Sequence, residues 1–252
     1  MNQAEFLLEA RSVRKNYGAV EALKSVDFMV RRGELVSLVG DNGAGKSTLI
    51  KIISGIVEPS AGEFRFEGRD VRVDSPMAAR QLGIETVYQD LGLCDNLSVT
   101  ENVYLGRELT RGWGPLRFLD RRRMAATALE ILSGIGVNVP DMHATTGSLS
   151  GGQRQSVALA RCRLWEQKLV ILDEPTAALG VEESARVVKI IRSMREAGVA
   201  MILVSHNIRL VMELSHRVVV LRAGRKVGDA PVQDLSEHRI VEMITGAREL
   251  IA

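Results

Sequence analysis

Residues Gly40-Asp41-Asn42-Gly43-Ala44-Gly45-Lys46-Ser47 keep the spacing G-x-x-x-x-G-K-[ST], a pattern suited to holding phosphate. The glycines let the backbone curl so that successive N–H groups point inward as an anion nest, and a helix starting near Lys46 would add the positive end of its dipole. Lys46 would bring a point charge to the β- and γ-phosphates of a nucleotide, and the Ser47 hydroxyl would ligate Mg²⁺. An ordinary Gly-rich turn is the bland alternative. The flanks argue against it: the apolar, β-rich run Leu35–Val39 precedes the loop, and Thr48-Leu49-Ile50-Lys51-Ile52-Ile53 continues with helical spacing to a stop at Gly55.

A second group of residues has the right types to attack a phosphoryl group. The apolar run Leu169–Leu172 ends in Asp173-Glu174, and unpaired carboxylates at the carboxyl edge of a sheet are costly to desolvate without a reason. Asp173 would hold Mg²⁺ through water while Glu174 orients or deprotonates the attacking water; an acidic pair at a helix start, favoured by the dipole, is the other reading. Leu149-Ser150-Gly151-Gly152-Gln153 precedes the helical run 154–165, so Ser150 and the glycine N–H groups form a second anion-binding helix start. Taken singly, Tyr17 reads as packing, Gln89 carries no signal, and His206 reads as a capping or core histidine.

The elements that must position these residues follow from the patterning. Phe6–Ala10 and Val26–Val30 alternate as strands, and Glu63–Gly68 is a further β-like stretch that could complete a small antiparallel sheet. From about Asn96 to Arg163 the chain reads mainly helical, with Met124–Leu132 the cleanest amphipathic stretch and Gly112, Pro115, Gly134 and Pro140 as breaks. This reads as an inserted helical lobe. Three β-rich runs (Leu169–Leu172, Met201–Val204, Val218–Leu221) then alternate with helical segments at Glu182–Glu196 and Ile208–Leu214, the grammar of a parallel sheet. Arg121-Arg122-Arg123 before Met124 reads as a solvated helix start, with contact to a membrane protein or lipid as the alternative.

Composition narrows the class. The chain has 252 residues, 46% of them hydrophobic and 25% charged, with a formal charge of +2; that is enough for one large domain or two joined lobes, and too near neutral to gather polyanions. Cys94 and Cys162 stand far apart, and no Cys/His cluster has zinc spacing. The longest apolar runs, such as Val199–Val204, fall short of the roughly 18 to 20 residues of a membrane span. The polar opening Met1-Asn2-Gln3-Ala4-Glu5 lacks the grammar of a signal peptide, so a cytoplasmic location is expected.

The ordered series of phosphate loop, Gln89, Ser150–Gln153, Asp173-Glu174 and His206 resembles the ATP-binding subunit of an ATP-binding cassette (ABC) transporter, across nearly the whole chain. The resemblance implies an α/β P-loop NTPase of ABC type, with a mixed β-core, an N-terminal antiparallel β-subdomain and an inserted helical subdomain. It implies one nucleotide-binding domain over 1–252, with the helical subdomain at approximately 90–165. ATP and Mg²⁺ are the implied cofactors. ATP would lie on Gly40 to Thr48, Asp41, Asn42, Gly43, Ala44 and Gly45 included, with Tyr17 stacking on adenine. Ser150, Gly151, Gly152 and Gln153 of a second copy would close on it in a head-to-tail homodimer. Gln89 would reach Mg²⁺ and the water, as catalytic residue and metal ligand beside Ser47 and Asp173, and His206 would be the switch histidine contacting the γ-phosphate and Glu174. One position departs from the family: Gly180 stands where most cassettes place an aspartate that ties one subunit to the opposite phosphate loop.

Local strings are similar to those of bacterial monosaccharide importers of the fructose, ribose and xylose group: Gly40–Gly45, Glu85–Leu91, Leu93–Leu97 and Asn102–Glu108. Gly180 also fits that group. This implies a peripheral ATPase on the cytoplasmic face of the cell membrane, two transmembrane permease subunits contacted through Asp90 to Gly106, and a sugar-binding protein engaged indirectly. ATPases of amino-acid or lipid transporters and a catalytically dead regulatory cassette are the alternatives within that frame. Cassettes acting on nucleic acid or ribosomes are opposed by the near-neutral charge and by the ordinary length between Lys46 and Ser150.

Overall fold

Alternating apolar and polar residues build a long antiparallel hairpin at the start of the chain, β1 (Phe6–Tyr17) paired with β2 (Val20–Arg31). In this computed structural model residues 6–88, 92–113, 116–134, 141–164, 167–177 and 179–247 are described, side chains at 162 and 163 excepted. The run Leu35–Val39 forms β3, buried at every position, and leads through the glycine loop to α1 (Lys46–Ile53). β4 (Ala61–Phe66) pairs antiparallel with β1 as expected, followed by β5 (Arg69–Asp70), α2 (Pro76–Leu82) and β6 (Ile84–Val87). Next come α3 (Val99–Tyr104), β7 (Thr110–Arg111), β8 (Phe118–Leu119), α4 (Arg121–Gly134) and α5 (Gly151–Leu164). The chain then alternates β9 (Leu169–Asp173), α6 (Val181–Glu196), β10 (Ala200–Val204), α7 (Ile208–Leu214) and β11 (Arg217–Arg222), and ends in β12 (Arg225–Pro231) and α8 (Glu237–Thr245).

These elements form two compact units: one from residues 1–86, 167–174 and 194–252, the other from 87–166 and 175–193. The first unit holds a four-stranded sheet in the order β2-β1-β4-β5 and a six-stranded sheet in the order β12-β11-β3-β10-β9-β6. Within the larger sheet β3 is parallel to β10 and β11, and β10 to β9, while β12 closes one edge antiparallel. One apolar core joins Leu8, Val26 and Phe28 of the hairpin to Leu49 and Ile53 of α1 and to Val36, Leu38 and Ile202 of the parallel strands. A second core sets Val39, Val218 and Val220 against Val211 of α7 and Ile240 of α8. The parallel register pairs Val204 with Asp173 and with Leu38, so three strands end together and three loops emerge at one carboxyl edge, where α/β sheets place their ligands.

The second unit packs α3, α4 and α5 through Val103, Met124, Ala128, Leu132, Val157 and Leu159, all buried. Asn102, fully buried, organises the loop before α3: its amide donates to Cys94 O, Leu97 O and Thr146 Oγ1, and its Oδ1 accepts from Cys94 N–H at 2.8 Å. The expectation of mainly helix from Asn96 to Arg163 misses the small hairpin β7–β8. Gly112 there has φ +104°, and a Cβ would stand 2.1 Å from Leu116 O, so the backbone turns back where the sequence signalled only a break.

Candidate functional site

The phosphate loop is shaped by what lies behind it. Gly40 opens it with φ +152°, and a Cβ would come within 2.2 Å of Leu221 O. Gly45 caps α1 in the left-handed region, φ +104°, where a Cβ would meet Ala22 O at 2.9 Å and Leu23 Cδ2 at 2.8 Å. The Gly224 N–H, in the β11–β12 turn, donates to Ala44 O at 3.1 Å, and Lys24 N–H donates to Gly224 O at 2.7 Å. Ala22, Leu23, Leu221 and Gly224 thus form the loop's backing. Sequence reasoning missed all four, because each comes from a distant segment and carries no chemistry of its own.

Inside the loop, the Lys46 ammonium donates to Gly40 O at 2.7 Å and Asp41 O at 2.9 Å, with the residue only 6% exposed. Burial pulls its pKa down, opposed by the nearby charges of Glu174, Asp41 and Asp173. Gly45 has no side chain to cap α1, and no side-chain hydrogen bond serves its first turn. The opening N–H groups of the helix therefore face outward as donors for an anion. Asp41, Asn42, Gly43 and Ser47 are exposed, Ala44 is buried, and Thr48 is half-buried.

Asp173 ends β9, and Glu174 turns the chain out of the sheet, its N–H donating to Val204 O at 2.9 Å. Glu174 does so with φ +51°, a left-handed backbone that side chains other than those of Gly, Asn and Asp seldom adopt. This conformation sets where its carboxylate stands. His206, two residues beyond the end of β10, brings Nε2 to 3.3 Å from Glu174 Oε1. That contact is at ion-pair distance without hydrogen-bond alignment, since Oε1 is buried and has no hydrogen-bond partner. Burial raises the Glu174 pKa, with His206 pulling it back, and burial likewise raises Asp173, with Lys46 pulling it back.

This donor set fits a hard divalent cation and a phosphate. The Ser47 hydroxyl and the Asp173 carboxylate are oxygen ligands of the kind Mg²⁺ takes, and Lys46 and the open helix start would meet anionic oxygens. The orphaned Glu174 Oε1 is an acceptor still in need of a donor, such as a water.

In the second unit Ser150 and Gln153 cap α5 reciprocally: Gln153 N–H donates to Ser150 Oγ at 3.3 Å, and Ser150 N–H to Gln153 Oε1 at 3.0 Å. Gly151 is exposed, and the Gly152 N–H donates to Glu183 Oε1 at 3.3 Å. Sequence reasoning did not single out Glu183. Tyr17 ends β1 with its residue 46% exposed and the Lys15 ammonium 5.1 Å from its ring centroid, an open aromatic face with a cation beside it. Gln89 lies outside the described residues. The first unit thus gathers Lys46, Asp173, Glu174 and His206, and the second holds Ser150–Gln153 as one capped helix start.

Comparison with known proteins gives this arrangement a context. A family described as ABC transporter matches residues 23–177. The fructose import ATP-binding protein of Rhizobium meliloti is 45% identical over 251 residues, spanning 97% of this chain and 96% of its own. The xylose/arabinose import ATP-binding protein of Sulfolobus acidocaldarius is 41% identical over 239 residues, 95% of this chain and 94% of its own. Among solved structures, a dimeric ATP-binding cassette in a post-hydrolysis state, bound to ADP and Pi, superposes with a TM-score of 0.75 at 26% identity, covering 89% of this chain and 98% of that one. An α/β fold with a glycine phosphate loop, an acidic strand end facing a histidine and a second capped helix start thus coincides with full-length likeness to import ATPases: this chain belongs to the ABC transporter family.

Proposed function

We propose that this chain is the ATP-hydrolysing subunit of an ABC importer for a monosaccharide of the fructose, ribose or xylose kind. The observation that carries the catalytic part is the Glu174 carboxylate, its Oε1 buried, unpartnered and 3.3 Å from His206 Nε2, in a cluster whose charges reach Lys46. The sugar class is supported by the likeness to two named sugar-import ATPases over nearly their whole length. The domain reading is one cassette over residues 1–252, its helical lobe at approximately 90–165.

In this reading the phosphates of ATP sit on the N–H groups of residues 40–48, and Lys46 leaves the carbonyls of Gly40 and Asp41 for their oxygens. Ser47 and Asp173, with Gln89, would hold Mg²⁺, which supplies charge neutralisation for the phosphoryl group. Glu174 orients a water for in-line attack and draws its proton, while His206 holds the carboxylate in place and reaches the γ-phosphate. Tyr17 offers the stacking face for adenine. Ser150, Gly151, Gly152 and Gln153 act on ATP held by a second copy, so the working unit is a head-to-tail homodimer. The dimer drives two permease subunits from the cytoplasmic face of the membrane, and the sugar-binding protein engages those subunits, not this chain.

The test is Mg²⁺-dependent phosphate release across a protein concentration series, with Glu174→Gln beside it. Release rising more than linearly with concentration, with the variant inactive yet dimeric in ATP, is the expected result. Strictly linear release with no ATP-dependent dimer at any concentration would overturn the two-copy site. Transport of an amino acid, but of no sugar, by the permease that co-purifies with the chain would overturn the sugar assignment.

A further inference from the structure

The Glu183 carboxylate stands on the helix start at Ser150–Gln153, the signature segment, which in the proposed head-to-tail homodimer closes on ATP held by the other copy to form an ATP sandwich. Its Oε1 accepts from the Gly152 N–H at 3.3 Å, and its Oε2 accepts from the Gly180 N–H at 3.2 Å. The fit is close: a Cβ on Gly152 would lie 2.7 Å from Glu183 Cγ and 2.9 Å from Cδ. Gly180 is the first residue of the turn into α6, its carbonyl accepting from Ser184 N–H at 2.9 Å, so Glu183 holds the third helical position and caps its own helix. One carboxylate therefore bridges two helix starts, those of α5 and α6. These N–H groups, with the Ser150 hydroxyl, hold the Glu183 pKa below the usual carboxylate range.

A helix start of this kind binds one anion at a time at a given N–H. We infer that Glu183 is a positioning residue that occupies the Gly152 N–H as an internal anion while the signature segment is disengaged, and that the γ-phosphate of ATP on the opposite copy displaces it during closure. The inference rests on the sandwich reading of Ser150 and Gly152. It also bears on Gly180, whose N–H donates to the other oxygen of the same carboxylate. Glu183 supplies a carboxylate to the same turn, directed at the signature helix of its own chain. When the phosphate takes the Gly152 N–H, the carboxylate keeps Gly180 alone, and occupancy of the signature segment is passed to the turn that follows Glu174 in the chain.

Two substitutions separate this role from simple helix capping. Glu183→Gln keeps the size but removes the anion. Glu183→Asp keeps the charge and can still cap Gly180, but it is one methylene short of Gly152. The experiment titrates ATP against dimer formation, followed by sedimentation, in the full-length chain carrying Glu174→Gln to prevent turnover, with Ser150→Ala as reference. Both Glu183 variants are expected to dimerise at about three- to ten-fold lower ATP, the scale of one charge-assisted hydrogen bond released from competition, while Ser150→Ala requires more ATP. Unchanged or raised midpoints for both Glu183 variants, with Ser150→Ala still raised, would overturn the displacement and leave the sandwich standing. An unchanged Ser150→Ala midpoint, or no ATP-dependent dimer in any protein at the highest concentration, would remove the sandwich reading and this inference with it.

Discussion

The helix starts of α1 and α5 differ in what already meets their N–H groups. At α1 the cap is Gly45, no side chain bonds the first turn, and the nearby cation Lys46 is held on the backbone of its own loop. At α5 the first turn is already served, by Ser150 and Gln153 capping each other and by the carboxylate of Glu183 on Gly152. Two glutamates make the same contrast. Glu174 is raised in pKa by burial and has an orphaned oxygen, whereas Glu183 is lowered because N–H groups point at it. A helix start whose N–H groups no side chain serves can take an anion directly; one that is internally satisfied gains only by exchange, and so can respond to what else is bound.

The largest expected effect comes from breaking the open site. Lys46→Ala removes the buried cation that the proposed function assigns to the phosphates, and hydrolysis should fall by about 10² to 10³-fold, the scale of losing one preorganised transition-state donor. Steady-state phosphate release measures it. A loss below ten-fold would mean that the backbone nest alone carries the charge. Next comes the matched glycine pair. Gly45→Ala forces a side chain into φ +104° against Ala22 O and Leu23 Cδ2, and the melting temperature should fall by several degrees. Gly152→Ala has no positive φ to oppose it, but its Cβ would stand 2.7 Å from Glu183 Cγ and 2.9 Å from the Glu183 Cβ that the α6 backbone fixes, so Glu183 must shift. Its melting temperature should fall by less than that of Gly45→Ala, where a strained backbone is added to the clash. Equal losses at both positions would erase the distinction between a rigid nest and an exchangeable one.

How much of this was legible in the sequence follows the range of each interaction. Gly40–Ser47, Ser150–Gln153 and Asp173-Glu174 were readable because their signals are local: a strand, a turn and a helix start lie within a few residues of the chemistry. The antiparallel pairing of β1, β2 and β4 followed from alternation. The hairpin β7–β8 was not expected, since two-residue strands have no period to detect. Glu183 escaped because Gly152 lies 31 positions away; nothing in Val181-Glu182-Glu183 distinguishes it from a solvated helix face. The backing of the phosphate loop escaped for the same reason, as Leu221 and Gly224 meet it only once the sheet is assembled. The left-handed backbone of Glu174 had no local sign either, because a glutamate seldom adopts it unless its surroundings impose it.

The smallest and most discriminating prediction sets the two glutamates against each other in pH. Burial raises the Glu174 pKa above its usual 4.5, so the native state holds that proton more tightly than the unfolded chain does. Between 4.5 and the raised value the wild type loses stability as pH increases, and above that window it keeps the full cost of a buried charge. Glu174→Gln carries no such cost: it should melt a few degrees higher near pH 8, by about 2–4 °C for each kcal/mol recovered, and the gap should close as pH falls below 4.5. Glu183 has the opposite sign. Its pKa is lowered, so its contribution is present above 4.5 and is lost as pH falls through the depressed value. Glu183→Gln should therefore melt lower than wild type near pH 8 and converge with it in acid. Thermal melts of the three nucleotide-free proteins between pH 3 and pH 8 measure both gaps. Opposite signs at pH 8 that vanish together at low pH are what an open site and an internally occupied one require, and two gaps of the same sign would mean that the carboxylates do not differ in how the fold holds them.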